Sequence, residues 1–554
     1  MVETDDSVPA GTAAATSGLI LLTLASGQFL MALDSSVMNV SIATVAADLG
    51  TTVIGIQSAI TFYTLVMSSL MITGGKIGEI LGRKRAFAIG CVIYGTGSLT
   101  TALSPDLTVL LIGWSVLEGV GAALIMPAIV ALIASNFDRG ARPRAYGLVA
   151  AAGAIAVALG PLIGGTLTTY ASWRWVFAGE VLIVGAILVL TRRMADVPGD
   201  RSARLDLVGT ALSALGLGLI VFGTIRSGTW GFVNPKPDAP DWLGLSPVIW
   251  LILAGGLALL GFTAWERRQR DAGRPILFDP ALLRNDVLRG GLVSFLFQYV
   301  VLAGTFFTVP LFLSVALGLS AVETGVRMLP LSLALLATAL GIPKLLPAMS
   351  PRLVVRAGFL SICVGVVWLA AALELGTGPE VITWPMILAG LGIGALASQL
   401  GSVTVSSVPD ERSDEVGGVQ NSVMFLGSSI GTALAGAVLI ATLTTSFLAG
   451  VRDDPAVPDD LVTQAEAELT GGVPFVSDDQ LAAALDGAGV AADVADAIVA
   501  DNAAARIDGL RSALALLALI AMVALFAARG IPNRQPGAAP SGRHRPGDPT
   551  PPAA

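Results

Sequence analysis

The feature that most constrains this chain is an apolar run of about twenty residues that recurs from one end to the other. An α-helix rises 1.5 Å per residue, so about 20 residues cross the ~30 Å hydrocarbon core with every backbone group bonded internally. Reading such runs against prolines and charges predicts fourteen spans. They lie near 18–46, 55–74, 86–104, 108–135, 145–169, 174–191, 206–226, 246–265, 290–317, 324–343, 353–374, 383–406, 416–447 and 510–528. Charged residues make up 13% of the sequence, about half the usual soluble fraction. The chain is therefore read as an all-α membrane protein whose first partner is the lipid bilayer. Its 64 glycines suit close helix crossings. The first run, Gly18–Ala46, is too long for a signal-peptide core and lacks a basic lead-in, so it is read as a retained span.

Charge sets the expected orientation. An even number of spans puts both termini on one side, and that side then carries 25 of the 32 Lys and Arg. The positive-inside bias makes it cytoplasmic. Scarce Lys with abundant Ala, Val and Gly points to a GC-rich bacterium, hence the bacterial cytoplasmic membrane. The net charge of −8 is local, because Arg452–Arg511 holds 13 acidic and 3 basic residues. The expected organisation is a cytoplasmic tail at 1–17, an N-terminal bundle at 18–193, an inserted helix pair with its loops at 194–289, and a C-terminal bundle at 290–529. That last unit includes an acidic outer loop at 447–509, and a disordered cytoplasmic tail follows at 530–554. Within the outer loop, Ser477-x-x-Gln480 reads as a capping box ahead of an Ala/Leu-rich helix. Asn234–Asp241 reads as an outer turn.

Several chemistries are not expected. Cys91 and Cys363 lie inside apolar runs, and the single His544 lies in a Pro-rich tail. Neither a disulfide framework, a thiolate or imidazole metal site, nor a histidine proton relay is anticipated. No phosphate-cradling loop, metalloprotease helix or nucleophile elbow occurs, and no basic face suits nucleic acid. The expectation is no enzyme, no cofactor, no metal and no nucleic-acid partner, with energy drawn from a gradient.

Against that apolar background a few polar residues stand out. Gly74–Arg85 (GGKIGEILGRKR) reads as a short charged connector between two apolar runs, with Lys76, Arg83, Lys84 and Arg85 marking a cytoplasmic loop. Asp34 falls within span 1, where a carboxylate costs about 2.5–3.5 kcal/mol on insertion scales and should face a cavity or partner. Glu118 in span 4 and Glu180 in span 6 are further acids in the same half. Gly160, Pro161, Gly164 and Gly165 give span 5 a smooth, kinkable surface. Asn39, Tyr63, Gln298, Gln399, Gln420 and Asn421 are polar groups able to line a cavity, and Glu323 with Arg327 could pair across one helical turn.

The connector resembles the signature loop of the major facilitator superfamily, written G-x-L-x-D-R-x-G-R-R. Gly75, Glu79, Gly82 and Arg83 fall on its Gly, acidic, Gly and Arg positions, with Glu79 for Asp and Ile80 for Arg. LDSSVMNVSI resembles LD-x-T-x-VNVALP of the fourteen-helix drug:proton antiporters, matching at Asp34 and Asn39, with Ser36 for Thr and Ser41 for Ala. GWSVLEGVGAALIMP resembles R-x-x-Q-G-x-G at Gly119 and Gly121, but Ser115 stands for the Arg and Glu118 for the Gln. ALGPLIGG resembles the exporters' G-P-x-x-G-G, and SWRWVFAGE resembles W-R-W-I-F-x-I-N with Glu180 for Asn. In that last motif Trp173, Arg174, Trp175 and Phe177 would form an interfacial anchor. LDLVG at 205–209, LGLSAVETGVRMLPLSL at 317–333 and the span-13 stretch from Gly417 resemble further landmarks, the last with Met424-Phe425 for the usual Arg-Gln.

The resemblance implies a major facilitator fold, with two six-helix bundles flanking two inserted helices, working by alternating access as a monomer. It implies protons and a small hydrophobic or cationic substrate as partners and Asp34 as a coupling acid, and Glu118 and Glu180, which depart from the family pattern, are expected to join it as further buried carboxylates. The glycine motifs would act in conformational change. Substrate class stays open at this point between amphipathic cationic drugs and an endogenous lipid, polyketide or other hydrophobic metabolite. A non-transporting sensor or scaffold using the outer loop is the remote alternative.

Overall fold

The computed structural model describes residues 10–534 apart from 52, 139, 195–197, 201–203, 237–238, 410–411, 470–472 and 474. Among the described residues, helices of eighteen residues or more follow one another along the chain. They are α1 (Ala10–Asp48), α2 (Val53–Leu81), α3 (Arg83–Ala102), α4 (Leu107–Asn136), α5 (Arg142–Tyr170), α6 (Arg174–Thr191) and α7 (Leu207–Trp230). The series continues with α8 (Pro247–Asp271), α9 (Asp286–Leu311), α10 (Ala321–Leu345), α11 (Pro351–Ala372), α12 (Thr383–Val405), α13 (Ser413–Asp453) and α14 (Ala492–Ala527). Eleven segments of the described chain are long and apolar enough to cross a membrane. α2, α3 and α5 fall outside that set, so length and apolarity support a multi-pass protein without fixing the number of crossings at fourteen.

Helices α1–α6 pack into one bundle and α9–α14 into another, each around its own core. Glycines set the tightest crossings. A Cβ on Gly160 would lie 2.4 Å from Ser36 Cβ, and one on Gly164 would lie 2.8 Å from Val37, which is why α5 presses so closely on α1. The two bundles touch through Gly418 against Met71 and Ile72, Gly417 against Pro127, Gly147 against Ala339 and Gly401 against Tyr146. Every one of these approaches lies near the helix ends that carry Lys76, Arg83, Arg142, Lys344 and Arg412. The bundles are thus closed on each other at the basic end.

The inserted pair lies beside this seam, with α7 against both α2 and α13. Asp206 of the LDLVG landmark caps α7 by accepting from the Val208 N–H, and it also accepts from Trp265 Nε1 on α8 at 2.7 Å. The landmark therefore staples the pair together. Their connector to the second bundle is clamped by Asp279, which accepts from Arg412 at 2.9 Å and Arg270 at 3.3 Å, while its own N–H donates to Glu415 at 3.2 Å. Burial pushes the Asp279 carboxyl up, but the bonds from Arg412, the Ala281 N–H and Arg270 outweigh it and hold the group below its usual value. A depressed folded-state value means that the clamp contributes fully at neutral pH and is lost only as pH falls through the acid range below about 3.9. Asp279→Ala is expected to cost about 1–2 kcal/mol, since both arginines are partly solvated. Thermal unfolding in detergent at pH 7 checks this, and an unchanged midpoint would remove the clamp.

Several expectations are corrected. Gly74–Arg85 is not a loop: α2 continues to Leu81 and α3 starts at Arg83, with Gly82 alone, at φ +94°, making the turn. Only glycine turns the chain that sharply without strain. Glu323 does not pair with Arg327, because its carboxylate turns back to accept from Ser320 and closes a capping box. Trp173 and Phe177 are buried, and Trp173 with Arg174 binds Asp48 at the end of α1, so Trp175 alone of that motif is exposed. α1 starts at Ala10, inside the expected tail. Residues 531–532 are docked, their carbonyls accepting from Arg352. From 535 onward the C-terminal tail lies outside the described residues.

At about 60 Å, α13 exceeds a bilayer crossing, so its end projects beside the start of α14. These extensions, with short helices Asp459–Glu468 and Asp478–Gly487, share a small core of Phe447, Val451, Val457, Val473, Val494 and Ile498. Ser477 and Gln480 form the expected capping box.

Candidate functional site

Three acids from three helices meet inside the first bundle. Asp34 on α1, Glu118 on α4 and Glu180 on α6 are at most 1% exposed, and one oxygen of each lies within 4.8 Å of the others. They sit roughly 10–20 Å along their helices from the end opposite the basic loops. Glu180 is the nearest to that end, six residues into α6.

Neighbouring helices supply neutral donors. Trp114 Nε1 donates to Asp34 Oδ1 at 2.7 Å, and the Tyr63 ring stacks on Trp114 with centroids 5.1 Å apart. Ser98 donates to Glu180 Oε2 at 3.0 Å, Tyr94 to the same oxygen at 3.4 Å, and Thr101 to Glu118 Oε1 at 3.2 Å. Each acid keeps one buried oxygen unpaired: Asp34 Oδ2, Glu118 Oε2 and Glu180 Oε1. None of the three is in an ion pair with Lys or Arg among the described residues. Two unit charges 4.8 Å apart repel by about 3.5 kcal/mol at an effective dielectric of 20. Three simultaneous charges are therefore untenable without a compensating cation, and the cluster must change its proton or cation content to change its charge.

The backbone is shaped for this meeting. α4 widens into a π-helix over Leu111–Glu118, the stretch that presents Trp114 and Glu118, and such bulges are frequent at functional sites. A Cβ on Gly97 would lie 2.6 Å from both Glu118 Cγ and Gly113 O, so α3 reaches the acid only through glycine.

Sequence reading singled out the three acids and Tyr63, and the structure brings all four together. It missed Trp114, Tyr94, Ser98 and Thr101. The last three recur at helical spacing, a polar stripe visible in the sequence of α3, whereas Trp114 gave no signal beyond its place beside Ser115. Ser115 spends its hydroxyl on Ala59 O. The Asn39 and Pro161 side chains lie outside the described residues. Gln298 is buried with Oε1 unpaired, Gln399 donates to Ser398, Gln420 accepts from Thr404, and Asn421 donates to its own helix at Gly417 O. Gly165 is buried in α5, and Gly75 in α2 near the basic end. There Lys76 pairs with Glu79 at 2.8 Å, while Arg83 donates to Ala131 O.

Two helical bundles closed on each other at one end, with acids buried in one of them, define a membrane transporter rather than an enzyme. The chain belongs to the major facilitator superfamily, whose family model matches residues 24–432. It is 32% identical to the puromycin resistance protein of Streptomyces alboniger, covering 79% of this chain and 85% of that one. It is 30% identical to a probable actinorhodin transporter of Streptomyces coelicolor, covering 82% and 76%. Among solved structures, the human organic anion transporter MFSD10 superposes over 94% of this chain and 100% of that one with a TM-score of 0.55 at 13% identity. That likeness supports the fold alone.

Proposed function

We propose that this protein is a proton-coupled exporter of amphipathic, cationic small molecules across the cytoplasmic membrane. The observation that carries the reading is the buried Asp34–Glu118–Glu180 cluster, which holds three carboxylates and no paired basic residue. With the basic loops cytoplasmic, the closed end faces inward. Protons entering from outside neutralise the cluster and favour rearrangement of the first bundle, and their release inward restores negative charge that attracts a cation. One charge crossing 100 mV supplies about 2.3 kcal/mol to this exchange. The relatives named for puromycin resistance and actinorhodin transport support export of bioactive compounds. A second reading, export of a hydrophobic metabolite of polyketide type, is favoured by the actinorhodin relative.

Everted membrane vesicles test the proposal. Respiration acidifies their interior and quenches an acridine dye, and adding ethidium or puromycin should restore fluorescence as protons leave in exchange. Recovery with a neutral aromatic polyketide but with neither of those compounds would select the second reading. No recovery with any of them, in vesicles that contain the protein, would sink proton coupling.

A further inference from the structure

The three-acid cluster has the composition of an oxygen-donor cage. Each acid keeps one buried oxygen without a hydrogen-bond partner, and the hydroxyl of Tyr63, 3% exposed, lies buried beside Asp34. These four oxygen atoms belong to side chains from four helices that meet in one buried cluster.

Geometry and donor chemistry narrow the occupant. Three oxygens no more than 4.8 Å apart leave a point about 2.8 Å or less from each. A slight contraction reaches the 2.3–2.6 Å of Ca²⁺, whereas Mg²⁺ at 2.0–2.1 Å would require all three helices to shift. An all-oxygen donor set without sulfur or nitrogen disfavours zinc and copper. The paired oxygens of the same carboxylates bring the available donors to about seven, within the six to eight that Ca²⁺ takes.

We propose that Asp34, Glu118, Glu180 and Tyr63 form a binding site for one hard divalent cation of calcium size, which competes with protons for the same oxygens. The titratable groups facing the site are Asp34 from α1, Tyr63 from α2, Tyr94 from α3, Glu118 from α4 and Glu180 from α6, and none is basic. Protonation removes the charge the cation needs, so binding weakens as pH falls. The site uses the acids of the proposed proton exchange but requires no transport.

Terbium luminescence tests the site in the purified full-length protein, because Trp114 bonds Asp34 and serves as a built-in sensitiser for Tb³⁺. The expected result is saturable, tryptophan-sensitised emission at pH 8 that is displaced by Ca²⁺, resists equimolar Mg²⁺ and declines toward pH 5. Glu118→Gln and Glu180→Gln should each weaken it at least tenfold, with folding of both variants checked by size-exclusion chromatography. Trp114→Phe should dim the emission, because it removes the sensitiser beside Asp34. Emission that survives both carboxamide variants would come from the acidic outer loop and overturn the proposal, as would its absence in wild type or equal displacement by Mg²⁺. Vesicle proton exchange that persists beside failed terbium binding would overturn the cation site and leave the exporter reading standing.

Discussion

Asp34→Asn is expected to abolish proton-driven efflux while leaving the protein folded in the membrane. The carboxamide keeps an oxygen to accept from Trp114 Nε1, so the 2.7 Å bond and the Tyr63–Trp114 stack survive. What disappears is a charge that can be gained and lost beside Glu118 and Glu180. Efflux of ethidium from energised cells should fall at least tenfold, to the level of uncoupler-treated wild type. Glu118→Gln should act in the same direction, because Thr101 still donates to the remaining oxygen. A tenfold loss of rate corresponds to about 1.4 kcal/mol on the barrier, a modest demand for a group whose charge compensation differs between two states. Uncoupler-sensitive efflux at wild-type rate in both variants would show that the cluster is structural.

The second large effect is on assembly. Gly74→Leu should leave almost no folded protein. A Cβ at Gly74 would lie 1.9 Å from the carbonyl oxygen of Ala123, so even alanine forces α2 and α4 apart. The obstacle is backbone, which cannot rotate away as a side-chain tip can. The cost therefore exceeds the ~1–3 kcal/mol of ordinary overpacking. The monodisperse peak in fluorescence-detected size-exclusion chromatography should vanish for Gly74→Leu and shrink for Gly74→Ala. Gly179→Ala, which meets nothing within 4 Å, should behave as wild type. A normal peak for Gly74→Leu would mean that α2 and α4 do not cross so tightly.

Much of the candidate site was legible because charge inside an apolar run is costly and therefore conspicuous. Asp34, Glu118 and Glu180 are visible as isolated acids in three separate spans. Tyr94, Ser98 and Thr101 were overlooked because hydroxyls are cheap in a membrane helix and carry little individual signal. Trp114 was hidden for a related reason, since its indole reads as one more apolar residue until its N–H finds a carboxylate. The charged stretch 74–85 misled in the opposite sense. Its glycines and charges suggested a loop, yet a helix tolerates all of them except at Gly82, where φ turns positive.

The sequence by itself determined that the chain is a helical membrane protein, which segments are apolar and which side of them is basic. Those properties follow from local hydropathy and charge, and they need no partner. Only the tertiary structure decided that acids separated by up to 146 positions share one buried cluster, and that Trp114 is the hydrogen-bond partner of Asp34. It alone placed Asp279 between Arg270 and Arg412 to tie the inserted pair to the second bundle. Such meetings depend on how helices cross, and crossing is set by glycines whose neighbours lie on other helices. No pattern along a single helix records them.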